Sequence, residues 1–343
     1  MSPEITIING NTIHDLIHAD LVGCTEVVRR AYLVHGDGMS VNPSSHFLTF
    51  PEKPTSRIIA LPAYLGSEFG VSGIKWIASY PDNLKLGLRR ASAVLVLNNY
   101  ETGYPFALME GSIISAARTA ASAASAVLAA AELSRSGKKA KRLGFIGNGF
   151  IARYVYAFFV GLGWDFEEVV LFDLDLKQSE SFKRDICSSR AHRTTLASGA
   201  EQVLSTCDVT TLATVAGSPY LRAPGDLKPD GVLLHLSLRD LSPEVILSAS
   251  NVVDDVDHVL KANTSVHLAE QQVGHRRFIQ ATLAGVMRGA SWFQACRPVV
   301  FSPFGLGVLD LAVGKWVFEQ VSQRGLGARM ADFFPDRPDS SAE

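Results

Sequence analysis

Two glycines, Gly147 and Gly149, are the first residues whose type and spacing suggest chemistry. They follow an apolar run of strand composition, Leu143 to Ile146, and precede an amphipathic stretch that predicts a helix beginning near Phe150. Gly147 permits a tight turn, and Gly149 lets the backbone approach a pyrophosphate. The first N–H groups of such a helix, together with its dipole, favour phosphate groups. The pattern predicts a dinucleotide-binding loop, with an ordinary structural turn as the alternative.

Asp173 ends the next apolar run, Val169 to Phe172, roughly twenty residues past this loop. A carboxylate at that point accepts hydrogen bonds from the ribose hydroxyls of an adenosine and repels a 2′-phosphate. The sequence therefore favours NAD over NADP as the cofactor, although Lys177 is near enough to bind a phosphate.

Two basic residues stand in surroundings that are unusual for a charge. Arg118 lies among alanines in a long predicted helix, Ser112 to Leu133, and a buried guanidinium needs an anion. That anion is either a ligand carboxylate or phosphate, or an internal salt-bridge partner. Lys75 lies in a predicted strand, on the face opposite Ile74 and Trp76. It can hold a substrate carboxylate or, with a lowered pKa, handle a proton; a solvent-facing lysine is the alternative.

Asp240 follows a predicted parallel strand, Val232 to Ser237. Open parallel sheets bind ligands beyond the carboxyl ends of their strands, where an acid can act as a base or activate a water. Asp240 can equally be the N-cap of a helix over Leu241-Ser242-Pro243-Glu244. His235, inside the apolar strand, is interpreted as a core histidine.

The composition narrows the class of protein. The chain has 343 residues, enough for two domains, and its formal charge of -2 gives no reason to expect nucleic acid or a membrane as partner. The four cysteines are scattered without a Cys-x-x-Cys pair, which suits reduced thiols and predicts no metal site. The N-terminus lacks a signal-peptide pattern, and the alanine-rich helix carries Arg118 and several serines, unlike a lipid-facing span. We expect a soluble, cytoplasmic protein.

The elements that must position these residues follow two patterns. From Val41 to Asn99, strands and turns predict a sheet-rich substrate domain. After Leu143, apolar runs that include Val209 to Thr214 alternate with helical patterns, which predicts parallel strands covered on both faces. A further helix is predicted from Leu309 to about Gln323.

These features together resemble the ornithine cyclodeaminase/μ-crystallin family over nearly the whole chain. The matching segments are 73–75, 101–105 leading into 118–121, 147–149, and 301–305 with Asp310. Within the family, segments 75–83, 90–93 and 236–243 are similar to the branch that releases L-2,3-diaminopropionate from N-(2-amino-2-carboxyethyl)-L-glutamate.

Two departures separate this chain from the cyclodeaminases themselves. Cyclodeaminases carry a glycine-rich segment before the aspartate, where this chain has Ser237-Leu238-Arg239. They also place a substrate-binding arginine after a proline near the N-terminus, where Ser44 follows Pro43. Both departures argue against ornithine as the substrate.

The resemblance implies an α/β fold in which a Rossmann-type parallel-sheet domain is inserted in a discontinuous, sheet-rich α+β domain. The NAD-binding domain would span 121–307, and the substrate-binding and dimerisation domain would combine 1–120 with 308–330. Residues 331–343 are expected to form a flexible tail.

The implied reaction is an NAD-dependent oxidation of that small amino-acid substrate. Hydrolysis of the resulting imine would give L-2,3-diaminopropionate and 2-oxoglutarate, in supply of a siderophore, antibiotic or nonribosomal peptide. Lys75 and Arg118 would hold the carboxylate at the oxidised carbon, and Asp240 would be the acid–base residue. The alternatives are an ornithine cyclodeaminase that forms proline and ammonia, an alanine or ketimine reductase, and a μ-crystallin-like binding protein.

The predicted site residues form three groups. The catalytic residues are Asp240 and Lys75. The substrate-binding residues are Lys75, Arg118, Arg57, Arg90, Arg239 and Phe304. The cofactor-binding residues are Gly147, Gly149, Phe150, Ile151, Asp173, Thr214, Ser237, Leu238, Ser92 and Arg118.

Overall fold

Two compact units make up the chain in this computed structural model, which describes residues 4–133, 140–189, 192–290 and 297–334. The first unit contains Met1–Arg118 and Leu306–Glu343, and the second contains Thr119–Gly305. The first unit is therefore discontinuous in sequence. Most of the tail expected to be flexible, from residue 335 onward, lies outside the described residues.

A mixed β-sheet forms the framework of the first unit. Its strands are β1 (Ile5–Ile8), β2 (Ser40–Val41), β3 (His46–Phe50), β4 (Lys53–Leu65), β5 (Val71–Ser79), β6 (Ala91–Asn99), β7 (Pro105–Glu110) and, near the C-terminus, β16 (Ala328–Met330). They lie in the order β16-β1-β7-β6-β5-β4-β2, and β3 pairs with another part of β4. The long β4, β5 and β6 pair antiparallel without a register shift, so alternate residues of β5 point to opposite faces.

Helices cover one face of this sheet. They are α1 (Gly10–Ala19), α2 (Leu21–Gly36), the first residues of α3 (Gly111–Leu133) and, after the second unit, α11 (Gly307–Arg324). Asn9 and Asp20 start α1 and α2 by accepting the backbone N–H of Thr12 and of Gly23. The last helix, α11, packs against α2 and against β4, β5 and β6.

The second unit is built on a wholly parallel sheet. Its strands are β8 (Arg142–Ile146), β9 (Glu168–Phe172), β10 (Arg193–Leu196), β11 (Val209–Leu212), β12 (Val232–His235), β13 (Ser250–Val253), β14 (Ile279–Thr282) and β15 (Val299–Ser302). They lie in the order β10-β9-β8-β11-β12-β15-β13-β14. The chain reverses its direction of winding between β8 and β11, which is the point where open parallel sheets bind nucleotides.

The helices of the second unit connect these strands. Besides the rest of α3, they are α4 (Phe150–Gly161), α5 (Leu176–Ser189), α6 (Ala200–Thr206), α7 (Pro243–Ser248), α8 (Val256–Val259), α9 (Ser265–Val273) and α10 (Leu283–Met287). The stretch Gly111–Ala130 of α3 is long and apolar enough to cross a membrane, but 78% of it is buried inside the protein. It is a core helix.

Two strands end earlier than the sequence predicts. The apolar runs were expected to continue as strands to Thr214 and Ser237, but β11 ends at Leu212 and β12 at His235. The backbone N–H groups of Leu236 and Ser237 both donate to the carbonyl of Leu212, at 3.0 and 3.2 Å. This shared acceptor breaks the regular hydrogen-bond pattern of the sheet, and β12 ends there. The polar residues after each strand are thereby released into loops at the carboxyl edge of the sheet.

Candidate functional site

The loop between β8 and α4 has the geometry that a pyrophosphate requires. Gly147 has φ +87, and a side chain there would put its Cβ 2.6 Å from the carbonyl oxygen of Ala213, so only glycine fits. A Cβ on Gly149 would meet nothing within 4 Å, so this side of the loop is open. Gly149 is also the N-cap of α4 and, as a glycine, provides no side-chain cap, so the N-terminus of the helix lies beside the open side of the loop.

Asp173 ends β9 beside this loop. Its Oδ2 accepts the N–H of Asn148 at 2.7 Å, and its Oδ1 accepts the N–H of Asp175 at 2.9 Å. These bonds fix the carboxylate at the edge of the open loop, where a ribose would follow the pyrophosphate. The residues present therefore fit an adenine dinucleotide with free ribose hydroxyls.

Asp240 lies at the same carboxyl edge, beyond β12. It is fully buried, and it accepts hydrogen bonds from the hydroxyls of Thr214 and Ser237, one on each carboxylate oxygen. Burial opposes ionisation of this carboxyl group, but the nearby His235 ring and the hydrogen bonds from the hydroxyls of Ser237 and Thr214 outweigh it and hold the pKa of Asp240 below its ordinary value. Asp240 is therefore a carboxylate at neutral pH. The helix-cap alternative is wrong, because Ser242 is the N-cap of α7.

Two further side chains complete the surroundings of Asp240. His235 is fully buried, as expected of a core histidine, but its Nε2 lies 3.3 Å from Oδ2 of Asp240 and its Nδ1 lies 3.2 Å from Oγ of Ser302. The hydroxyl of Tyr220 is hydrogen-bonded to Asp240, and burial together with that negative charge raises the pKa of Tyr220. Tyr220 therefore stays protonated.

In the first unit, Lys75 is buried rather than exposed. The residue is 2% exposed, whereas its neighbour Trp76, on the other face of β5, is 42% exposed. The solvent-facing interpretation of Lys75 is therefore wrong. Its Nζ donates to Oδ2 of Asp310 at 2.7 Å and to Oγ of Ser115 at 3.2 Å. Arg118 joins the same group, with its Nε 3.4 Å from Oδ1 of Asp310.

Burial has a direct electrostatic consequence for Lys75. Desolvation lowers the pKa of its ammonium to about 8, assisted by the charge of Arg118 and opposed by that of Asp310. An ammonium has three N–H donors, of which two point to Asp310 and Ser115. The third can bind a ligand oxygen. Arg118 does form an internal salt bridge, one of the two alternatives that the sequence left open. Its partner Asp310 also binds Lys75, so both cations belong to one group.

The remaining predicted residues lie in different surroundings. Arg57 and Arg90 lie in the first unit near Ser79, which is the last residue of β5. In the same unit, Ser92 is exposed on the sheet face opposite Lys75. In the second unit, three residues lie near the carboxyl edge. Arg239 donates to the carbonyl of Ala262, Phe304 packs against the hydrophobic core, and Leu238 has φ +70.

Sequence reasoning missed Asp310, Ser115 and Tyr220 as members of these groups. The sequence did contain a signal for Asp310, because an acid within the apolar run from Val308 to Val313 is expected to be buried and to need a cationic partner. In the structure its exposure is 0%. Ser115 lies one helical turn before Arg118, which places the two on one face of α3. Nothing in the local sequence indicates that Tyr220 reaches Asp240.

Comparison with known proteins extends over nearly the whole chain. The model of the ornithine cyclodeaminase/mu-crystallin family matches residues 14–325. The N-((2S)-2-amino-2-carboxyethyl)-L-glutamate dehydrogenase of Staphylococcus aureus is 29% identical over 319 residues, which cover 89% of this chain and 92% of that protein.

Solved structures of two other enzymes are also similar. An archaeal alanine dehydrogenase dimer with bound NAD is 25% identical, with a TM-score of 0.82 and coverage of 96% of this chain and 100% of that chain. The Δ(1)-pyrroline-2-carboxylate reductase of Thermococcus litoralis, in complex with NADH and L-proline, is 24% identical with a TM-score of 0.84. It covers 94% of this chain and 99% of that chain, and we take it as a likeness of fold. These likenesses confirm the expected α/β fold class. Because the family model spans nearly all of the sequence, this chain belongs to the ornithine cyclodeaminase/mu-crystallin family.

Proposed function

We propose that this protein is an NAD-dependent dehydrogenase of N-[(2S)-2-amino-2-carboxyethyl]-L-glutamate, which it oxidises and hydrolyses to L-2,3-diaminopropionate and 2-oxoglutarate. The staphylococcal relative of that name supports this substrate, and its similarity extends along most of both chains. The dehydrogenase class and the use of NAD are also supported by the NAD-bound alanine dehydrogenase dimer.

The main support for the proposal is that Lys75 and Arg118 lie together in the first unit, both in contact with the buried Asp310. A desolvated ammonium with an unused N–H donor favours an anionic ligand, and Arg118 lies beside it to strengthen that preference. We assign to Lys75 and Arg118 the carboxylate attached to the carbon that is oxidised. Asp310 orients both cations.

The second unit would hold the cofactor through residues that already have the required geometry. Gly147, Gly149 and the N-terminus of α4 would bind the pyrophosphate, and Asp173 the adenosine ribose. NAD, when bound, supplies the hydride acceptor. Thr214, Ser237 and Leu238 lie at the same edge of the sheet and are assigned to its nicotinamide half.

Asp240 is assigned the proton transfers. The hydride leaves the glutamyl Cα as the carboxylate of Asp240 accepts the proton of the secondary amine, which gives an imine. Asp240 then orients a water that adds to the imine carbon, and the C–N bond breaks as a proton returns to the departing amine nitrogen. One NAD and one water are consumed, and one NADH and one proton are released. Its lowered pKa keeps Asp240 ionised at neutral pH, so that the group begins the cycle able to accept a proton.

Other activities on this scaffold differ in what they require. An alanine dehydrogenase, as in the archaeal relative, or an imine reductase would use the same Lys75 and Arg118 for a single carboxylate. An ornithine cyclodeaminase would return the hydride and release ammonia and proline. The buried, ionised carboxylate of Asp240, with polar side chains around it, favours an enzyme over a binding protein, which needs no acid–base residue.

We further propose that the protein acts in the cytoplasm and supplies diaminopropionate to siderophore, antibiotic or nonribosomal peptide assembly. The name of the S. aureus relative supports the release of diaminopropionate, and the small anionic substrate suits an enzyme of the cytoplasm. No targeting role is assigned to α3, since it is buried.

A homodimer is part of the proposal, with the exposed face of the first sheet as the interface. Trp76 and Val94 lie directly opposite each other on that face, and Leu48 of β3 extends it. All three are large apolar side chains more than two-fifths exposed. The dimer of the archaeal relative supports a second copy of this chain as the occupant.

Replacement of Asp240 tests its role in proton transfer. Asp240→Asn is expected to lower kcat about 10²–10⁴-fold, because the amide cannot accept the proton, while NADH binding stays within a factor of about two. NADH formation and fluorescence titration of NADH measure the two effects. Asp257→Asn, at an exposed aspartate of the same unit, serves as the control. Near-normal turnover by Asp240→Asn would remove this residue from the mechanism.

The ionisation of Lys75 predicts a pH dependence of ligand binding. Below about pH 8 the ammonium is charged and binds a carboxylate. Above about pH 8 it loses its proton, so Kd for the product 2-oxoglutarate should rise by about tenfold per pH unit. Lys75→Arg keeps its charge throughout this range and should lose that steep dependence. Calorimetric titration of the protein with product, in the presence of NADH, between pH 6.5 and 9.5 measures the two profiles. Identical profiles would assign the titration to another group.

A charge on the proposed interface should separate the protomers. Trp76→Glu is expected to give a monomer in sedimentation velocity, because a carboxylate cannot be buried there without a partner. Val22→Glu introduces the same charge at an exposed apolar residue of α2 and should leave the dimer intact. A dimeric Trp76→Glu protein would exclude this face.

A further inference from the structure

A second group of basic side chains lies on the sheet face that carries Lys75. Arg57 of β4 is directly opposite Ser79 of β5, and Ser79 is four residues beyond Lys75 on an uninterrupted strand. Since alternate residues share a face, Lys75, Ser79 and Arg57 all point to the same side, with about 13 Å between the Cα atoms of Lys75 and Ser79. The Nη1 of Arg90 donates to Oγ of Ser79 at 3.1 Å, which brings a second guanidinium to this point.

Neither arginine has an acidic partner among the residues that the structure describes. The Nε of Arg57 is buried without a hydrogen-bond partner. Arg90 has Ser79 as its hydrogen-bond acceptor, and burial followed by the charge of Arg57 lowers the pKa of Arg90. Two partly buried guanidinium groups that repel each other destabilise the folded protein unless an anion joins them. Arg239, the other candidate, lies in the second unit and uses its guanidinium on the carbonyl of Ala262.

We propose that Arg57, Arg90 and Ser79 form a carboxylate subsite that receives a distal carboxylate of the substrate. This inference rests on the proposed role of Lys75 in holding the first carboxylate. The subsite selects amino acids and oxo acids with a second carboxylate several bonds from the first, and a guanidinium pair can bind such a group through parallel hydrogen bonds. The subsite should give the protein a preference for tricarboxylate and dicarboxylate ligands over alanine-like ones.

The test compares two oxo acids that differ only at the distal group. Calorimetry with the NADH-bound protein measures Kd for 2-oxoglutarate and for 2-oxopentanoate, in which a methyl group replaces the distal carboxylate. The wild type should bind 2-oxoglutarate at least about tenfold more tightly. The double variant Arg57→Gln/Arg90→Gln should bind both acids about equally, with binding of 2-oxopentanoate unchanged. Arg57→Lys/Arg90→Lys should restore part of the preference.

Arg89→Gln, at the exposed arginine next along the chain, is the matched control and should keep the full preference. NADH affinity and the thermal unfolding midpoint verify that each variant is folded. A wild type without preference, or a double variant that retains it, would overturn the subsite. A preference that the double variant loses would support the subsite even if N-(2-amino-2-carboxyethyl)-L-glutamate is not turned over, in which case only the proposed substrate fails.

Discussion

The buried ion pair between Lys75 and Asp310 is the interaction on which the first unit depends. It joins β5 to α11 across 235 positions of sequence, so the chain must return to the first sheet after the second unit is complete. Burying two charges costs several kcal/mol per ion, which is tolerable only with close pairing and further hydrogen bonds. Ser115 and Arg118 supply these contacts. In the proposed function, the same desolvation strengthens the attraction between the Lys75 ammonium and a substrate carboxylate.

The second unit applies a different constraint, the common edge at which parallel strands end. The glycine loop follows β8, Asp173 follows β9, Thr214 follows β11 and Asp240 follows β12, so four separate connections bring polar groups to one edge. Early termination of β11 and β12 is what frees Thr214 and Ser237 to bind Asp240. A strand that continued as the apolar pattern predicts would have left Asp240 buried without these donors. Fold and candidate acid therefore depend on the same few hydrogen bonds.

Local patterns predicted what depends on neighbours in sequence, and failed where partners are distant. The dinucleotide-binding loop at Gly147 and Gly149 could be predicted because the turn, the start of the helix and the acid follow one another within about thirty residues. Asp240 was found at a strand end, but the choice between base and helix cap required the observed cap at Ser242. The burial of Lys75 could not be predicted, since the local sequence around this lysine is the same whether or not Asp310 lies opposite it in the fold. The pairing of Arg57 with Ser79 likewise depends on strand register, which alternation alone does not fix.

We propose that the carbon next to Lys75 and Arg118 is the glutamyl Cα, and isotope transfer can identify the carbon that loses the hydride. The substrate is prepared with deuterium at that carbon and incubated with the wild-type protein and NAD. We expect deuterium in the reduced cofactor, with unlabelled 2-oxoglutarate and diaminopropionate as products and a slower hydride step. Unlabelled reduced cofactor, with deuterium retained in released glutamate, would contradict it by assigning the oxidation to the other side of the amine.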